Sequence, residues 1–361
     1  MRVMTIVGTR PEIIRLSQVI PRLSARFDHQ LVHTGQNYDY ELNEIFFEEL
    51  GLNAPDVFLN VDTSSLGAVY GDVLRKTEVL LREERPDAIV ILGDTNSAVA
   101  AMMARRLAIP VFHMEAGNRC FDWRVPEEMN RRIVDHISNF NLVYTEHARR
   151  NLLREGIVAA TIIKTGSPMN EVLAANRDAI EGSQVLEELE LSERRYLLAS
   201  LHREENVDNE ETCRALFEGL AAAGADHDMP VIVSVHPRTR KRIEAFGIKG
   251  SDQTRFLPPF GFHAYNRLQL SAACVVSDSG TISEEAALLC FPAVSPRTAT
   301  ERPEGIEAGV FQLCARSVQG VTDAIRAQIG SVPSSIPNDY RIANTSQIVA
   351  NALASFASSD T

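Results

Sequence analysis

The chain has 361 residues, with 36 Lys or Arg against 48 Asp or Glu, a formal net charge of −12, 45% apolar and 23% charged residues. Those proportions are of a soluble globular protein, and the acidic excess argues against a general nucleic-acid or membrane-surface binder while leaving room for a local basic pocket for phosphate. The length exceeds what one hydrophobic core usually supports, so two domains are expected.

The N-terminal residues 1–7 form a short apolar run ended by Gly8, too brief for a signal-peptide core, and read as a first buried strand. No segment reaches the roughly 18 uninterrupted apolar residues of a membrane span. Further apolar runs at residues 30–33, 88–92, 111–113 and 142–144 read as strands separated by amphipathic helices, which predicts a parallel sheet covered on both faces. Residues 170–194, rich in Glu and without strand pattern, read as a crossover. The plan then repeats with strands at 196–200, 231–235, 255–257, 274–277 and 293–295, so the expected fold is α/β, with two doubly wound Rossmann-like domains, 1–170 and 171–339. A Ser/Pro-rich stretch at 331–337 precedes an amphipathic helix at 345–356, and the segment 340–361 is expected to dock back on the first domain.

An internal echo supports two similar folds. IVILGDTNS (89–97) followed by IPV (109–111) parallels CVVSDSGT (274–281) followed by FPA (291–293): a strand ends in an aspartate and a hydroxyl residue, an Ala-rich helix follows, and X-Pro opens the next strand. Domains facing each other would set these strand ends on opposite walls of a central cleft. The cysteines, Cys120, Cys213, Cys274, Cys290 and Cys314, are odd in number and free of CxxC spacing, which suits reduced thiols in a cytoplasm.

Polar groups gather where strands end, the usual place for ligands in open α/β sheets. The loop from His113 to Arg131 collects carboxylates and arginines, and helix resumes at 132–136. Asp94 at one strand end, Glu115 at the next and Glu127 in the loop after it could work at opposite faces of a reacting carbon. For any one alone a structural ion pair is the more common explanation; three on adjacent strand ends reverse that weighting. In Gly8-Thr9-Arg10-Pro11-Glu12, Thr9 can cap a helix, Pro11 can take an early helical position and Glu12 can complete a capping box, so that Arg10 projects from the helix start with Arg15 further along.

His202 and Arg203 follow the strand at 196–200, and His236 follows that at 231–235, where Pro237 by itself accounts for the turn. Ser279, Gly280 and Thr281 open a helix whose start suits a phosphate, and Glu285, one turn inside, can accept from ribose hydroxyls. There is no GxxxxGK[ST] and no GxGxxG after the first strand, so neither a Walker NTPase nor a dinucleotide enzyme is supported. Asp226-His227-Asp228 precedes a strand and reads as a solvated loop rather than a metal site.

In order along the chain, GTRPE (8–12), TGQ (34–36), GDT (93–95), EAG (115–117), PEEMNR (126–131), HREEN (202–206), DSG (278–280), EE (284–285) and ERPE (301–304) resemble the non-hydrolysing UDP-N-acetylglucosamine 2-epimerase family. The fuller wording of TGQNYDYELNE (34–44), MEAGNRCFD (114–122), RVPEE (124–128), NRRIVDH (130–136), HPRTR (236–240) and SDSGT (277–281) is similar to capsule and O-antigen members that make UDP-N-acetyl-L-fucosamine from UDP-2-acetamido-2,6-dideoxy-L-talose. Arg15, Asn37, Asn118 and Thr281 stand where common UDP-GlcNAc 2-epimerases carry Lys, His, Leu and Gly. Asn37 argues against activation by a second UDP-sugar, whereas Gln36 keeps it open.

The resemblance implies a GT-B-like fold and an isomerase that eliminates UDP across C1–C2 and adds it back to a 2-acetamidoglycal. It implies Asp94, Glu115, Glu127 and His202 as catalytic, and Arg10, Arg15, Arg131, Arg203, His236, Ser279, Gly280, Thr281, Glu285 and Arg302 as ligands of the UDP-sugar. No metal, nicotinamide or other cofactor is implied, and the expected protein is a cytoplasmic homodimer. Residues alone leave open a glycosyltransferase on the same scaffold, a UDP-sugar-binding regulator and a hydrolysing epimerase.

Overall fold

The structure is a computed structural model describing residues 1–36, 40–331, 333 and 335–359. It divides into two compact units, residues 1–175 with 338–361, and residues 176–337.

The first unit holds a seven-stranded parallel sheet. Its strands are β1 (Arg2–Val7), β2 (Asp28–His33), β3 (Val57–Phe58), β4 (Ala88–Leu92), β5 (Val111–Met114), β6 (Phe140–Val143) and β7 (Ile162–Lys164), in spatial order β3-β2-β1-β4-β5-β6-β7. Helices cover both faces, so a central strand has no wet side: every residue of β4 is buried, which is why it reads as an unbroken apolar run. Met4, Ile6, Val32, Val73, Leu81, Ile89, Ile91, Ala101, Val111 and Val134 pack into one core.

The second unit has six parallel strands: β8 (Leu197–Ser200), β9 (Val231–Ser234), β10 (Thr254–Leu257), β11 (Cys274–Ser277), β12 (Ala293–Ser295) and β13 (Gln312–Leu313), ordered β10-β9-β8-β11-β12-β13. Leu197, Ala199, Val231, Val233, Cys274 and Val276 line its core with Leu216, Leu220 and Ile325 from the helices. All five cysteines are free thiols, and burial pushes that of Cys213 up to about 11.

The strands expected from sequence are present with ends shifted by a residue or two, while β3, β7 and β13 escaped notice because two or three residues carry no readable period. The expected loop from His113 to Arg131 is shorter than read. Helix begins at Pro126 and runs to Ile137, so Glu127 and Arg131 are helical. Proline at the first helical position, with Glu127 and Glu128 in the first turn at the positive end of the helix dipole, accounts for the earlier start. The helix Thr345–Ser359 belongs to the first unit, where Phe356 packs edge-on against Phe112 and Phe140.

Strand order fixes where polar groups collect. In the first sheet the chain moves outward from β1 through β2 to β3, then returns to β4 on the other side of β1. In the second it moves from β8 through β9 to β10, then returns to β11 beside β8. Each reversal opens a crevice past the strand C-termini. The segments entering these crevices are Gly8–Arg10 and Gly93–Asp94 in one unit, and His202–Arg203 and Asp278–Ser279 in the other.

Candidate active site

In the first unit Thr9 caps the helix Arg10–Leu16, with Pro11 in its first turn. Glu12 reaches back: its Oε2 accepts from Gly8 N at 2.9 Å, Thr9 N at 2.7 Å and Thr9 Oγ1 at 2.8 Å, while Oε1 accepts from Thr95 Oγ1 at 3.0 Å. The capping residue therefore also ties the end of β1 to the residue after Asp94. Ser97 donates to Gln36 Oε1 through Oγ at 2.9 Å, and its Oγ lies 2.7 Å from Thr34 Oγ1. A Cβ at Gly8 would collide with both hydroxyls, so only glycine lets the three strand ends close up.

Glu12 is 1% exposed, and burial pushes its carboxyl from an ordinary 4.5 up to about 7 against the pull of its donors. A folded-state pKa above the unfolded one contributes stability that is full below about pH 4.5 and lost as pH rises through 7. The difference in stability between wild type and Glu12→Gln should therefore shift by about 3 kcal/mol against wild type as thermal unfolding is followed from pH 5 to 8. Parallel profiles would place the carboxylate's charge elsewhere in the balance.

Asp94, after β4, pairs with Arg131, whose Nε donates to its Oδ2 at 2.8 Å. Arg131 also donates through Nη1 to Glu128 Oε2 at 2.9 Å and the Asn118 carbonyl at 3.3 Å, so this guanidinium, read from sequence as a diphosphate ligand, is occupied in fixing Asp94. Glu115, after β5, sits in the left-handed region at φ 64° and pairs with the buried Arg15. Glu127 lies half-buried in the first turn of Pro126–Ile137. Arg10 stacks over the Phe46 ring, 5.1 Å from its centroid. Asn37 lies outside the described residues.

Behind these groups runs a buried charge network that sequence reading missed. Glu128 accepts from Cys120 N at 3.1 Å, from Arg131, and from Arg132 Nε at 3.1 Å. Asp135 accepts from Arg119 Nη1 at 2.7 Å, and Arg119 binds Glu155 with two donors at 2.8 and 2.6 Å. The available signal was spacing: Glu128, Arg131, Arg132 and Asp135 fall three and four apart, within reach of one another on a helix.

In the second unit the organising group is Asp278, fully buried after β11. It accepts from His202 N at 3.1 and 3.0 Å, Arg203 N at 3.0 Å and Asn206 Nδ2 at 2.9 Å, and His202 Nδ1 lies 3.0 Å from its Oδ1. Burial alone would raise its pKa; His202 and these donors outweigh that and hold it well below the usual carboxylate range. An ionised Asp278 only accepts, so His202 Nδ1 carries a proton and Nε2 is the nitrogen left for other partners.

Arg203 Nε donates to the Asp278 carbonyl at 2.9 Å, and its Nη2 would lie 3.9 Å from a Cβ at Gly280. Ser279 Oγ and Thr281 Oγ1 are 2.9 Å apart at the start of the helix Ile282–Leu289. His202, Arg203 and the Ser279-Gly280-Thr281 turn are thus gathered around one carboxylate. The His236 ring lies 5.7 Å from that of His202 and caps the helix Pro237–Ala245, Nδ1 accepting from Arg238 N at 3.2 Å. Glu285, expected to face a ribose, is 9% exposed and accepts from Gln269 Nε2 at 2.7 Å. Arg302 lies buried beside Glu284. Asp226 ends the helix Glu210–Asp226 and pairs with Arg326.

Two Rossmann-like units of the GT-B-like α/β class, each with charged groups massed past its strand C-termini, define the class of protein. The family model described as UDP-N-acetylglucosamine 2-epimerase matches residues 22–354. The chain belongs to that family, and as such is an isomerase. It is similar to a structure of UDP-N-acetylglucosamine 2-epimerase from Rickettsia bellii, 42% identical with a TM-score of 0.88, covering 99% of this chain and 96% of that one. A crystal structure of Methanocaldococcus jannaschii UDP-GlcNAc 2-epimerase in complex with UDP-GlcNAc and UDP is 35% identical with a TM-score of 0.93, covering 98% and 100%. A Pseudomonas aeruginosa relative, 32% identical over 91% of this chain and 93% of its own length, is a UDP-2,3-diacetamido-2,3-dideoxy-D-glucuronate 2-epimerase. No helix among the described residues is long and apolar enough to cross a membrane.

Proposed function

We propose that this chain inverts C2 of a UDP-activated 2-acetamido sugar by eliminating UDP and adding it back. The observation that carries the reading is the pair of carboxylates at neighbouring strand ends, each held by its own arginine, Asp94 on Arg131 and Glu115 on Arg15. The C2 hydrogen of an N-acetyl sugar is not acidic, so direct exchange faces a high barrier. Concerted loss of the C2 proton to a carboxylate and of the C1–O electron pair to UDP avoids a free carbanion and gives a 2-acetamidoglycal. A proton delivered to the opposite face of C2, with UDP re-adding at C1, gives the epimer. Carboxylates on both faces meet that need, and Glu127 supplies a third.

His202, oriented by Asp278, assists at the leaving phosphate, whose negative charge grows as the bond breaks. Arg10, Arg203, Ser279, Gly280 and Thr281 hold the diphosphate, Glu285 and His236 the nucleoside end, and Arg302 supports Glu284. Arg15 and Arg131 act through the carboxylates they hold.

UDP-GlcNAc is the substrate the relatives' names favour, and the finer reading, UDP-2-acetamido-2,6-dideoxy-L-talose converted to UDP-N-acetyl-L-fucosamine for surface polysaccharide, rests on the stretches 34–44 and 114–136. The Pseudomonas relative acts on a third sugar at comparable identity, so the sugar is decided by assay. A cytoplasmic homodimer completes the reading, with light scattering as its test.

Proton NMR in D2O with each UDP-sugar checks the whole. Deuterium at C2 with the matching epimer is the expected result. Exchange with UDP-GlcNAc alone would keep the reaction and remove the L-talose substrate; exchange with neither would remove both and point to another UDP-sugar, such as the one the Pseudomonas relative acts on.

A further inference from the structure

We propose that Asp135, acting with His113, is a positioning residue for the acid–base pair: one buried carboxylate sets the backbone that carries both Asp94 and Glu115. The inference rests on the epimerase reading above. Asp135 comes from the helix Pro126–Ile137 and is completely buried, as are His113 and the Arg119 side chain.

Its contacts converge on the two strand ends. Both carboxylate oxygens accept from Gly117 N at 3.2 Å, closing the turn that begins at Glu115. Gly117 has φ 78°, and a Cβ there would run into the Ala148 carbonyl, so this turn has one conformation and Asp135 holds it shut. On the other side Asp135 Oδ1 lies 2.9 Å from His113 Nδ1, a close approach without the angle of a linear hydrogen bond. The opposite ring nitrogen, Nε2, lies 2.7 Å from the carbonyl of Gly93, the residue before Asp94. A carbonyl only accepts, so Nε2 donates. A Cβ at Gly93 would lie 3.4 Å from Glu115 Oε2, so the two strand ends carrying the acids touch where His113 fastens one of them.

Asp135 is held ionised: burial would raise its pKa, but His113 and Arg119 bring it below the usual range. An anion there is costly unless paired, and its partners are the backbone and side chains that aim the catalytic groups. Stability alone would be served by Glu155, on which Arg119, Arg132 and His136 meet at the far side of the network from Gly93 and Gly117. That difference makes Glu155 the control.

Asp135→Asn and Glu155→Gln should be compared in D2O with the UDP-sugar that wild type turns over. Misplacing a carboxylate by about 1 Å costs on the order of 100-fold, so kcat of Asp135→Asn should fall by roughly that factor with KM unchanged, and glycal and UDP should be released because proton return lags elimination. Glu155→Gln should lose melting temperature but keep kcat and release no glycal. Wild-type kcat in Asp135→Asn, or an equal kcat loss in Glu155→Gln, overturns the proposal. Should Asp135→Asn not fold, His113→Gln, whose amide still reaches for the Gly93 carbonyl while losing the approach to Asp135, must show the same kcat loss and glycal release; full activity there overturns it too. Absence of turnover by wild type would strike the epimerase reading itself.

Discussion

Asparagine at position 94 is expected to lower epimerisation by on the order of 1,000-fold or more while the affinity for UDP stays as in wild type. The substitution is nearly isosteric and keeps one oxygen for Arg131, so the strand end should hold its shape. What disappears is the capacity to hold a proton. Apart from Arg10, which rests on Phe46, the proposed diphosphate ligands cluster around Asp278 after β11, so UDP titrated calorimetrically should bind normally. Unchanged turnover would remove Asp94 from the mechanism, and a parallel loss of UDP binding would make it a binding group instead.

The second large effect is expected at Asp278. Alanine there strands the backbone N–H groups of His202 and Arg203, the Asn206 amide and the His202 ring, all of which point at one buried carboxylate. Breaking a buried charged cluster by removing one partner costs about 3–5 kcal/mol, which urea unfolding would read as a lowered midpoint. Because the folded-state pKa of Asp278 is depressed, its contribution is complete above the ordinary carboxylate range and lost only as pH falls through the lower folded value. The gap between wild type and variant should thus be equal at pH 7 and pH 5 and narrow on further acidification. UDP affinity should fall with it, since the carboxylate orients both His202 and Arg203. A gap that grew as pH fell would reverse the assigned sign.

These two aspartates show how far the internal echo of the sequence reached. Both follow a buried strand and precede a hydroxyl residue, and strand ends of that kind are recognisable from the local pattern alone. Their roles diverge for a reason no local pattern contains. Asp94 is opposite one arginine from a helix 37 residues away and keeps some exposure, whereas Asp278 is enclosed by the loop after β8, 75 residues earlier, and is wholly buried. Glu12 was read as a helix cap and is one; that it also binds Thr95 depended on β1 and β4 being neighbours.

The sequence by itself determined that this is an α/β chain with a duplicated plan, because parallel strands buried on both faces must be continuous apolar runs and their connecting helices must be amphipathic. It also determined which segments end strands, and through its motifs the epimerase family. Only the tertiary structure decided which charges pair: Arg15 with Glu115, Arg131 with Asp94, and Asp135 with Arg119 and the Gly117 turn. Charge pairing is a matter of distance and burial between residues far apart in the chain. The order of the strands sets both.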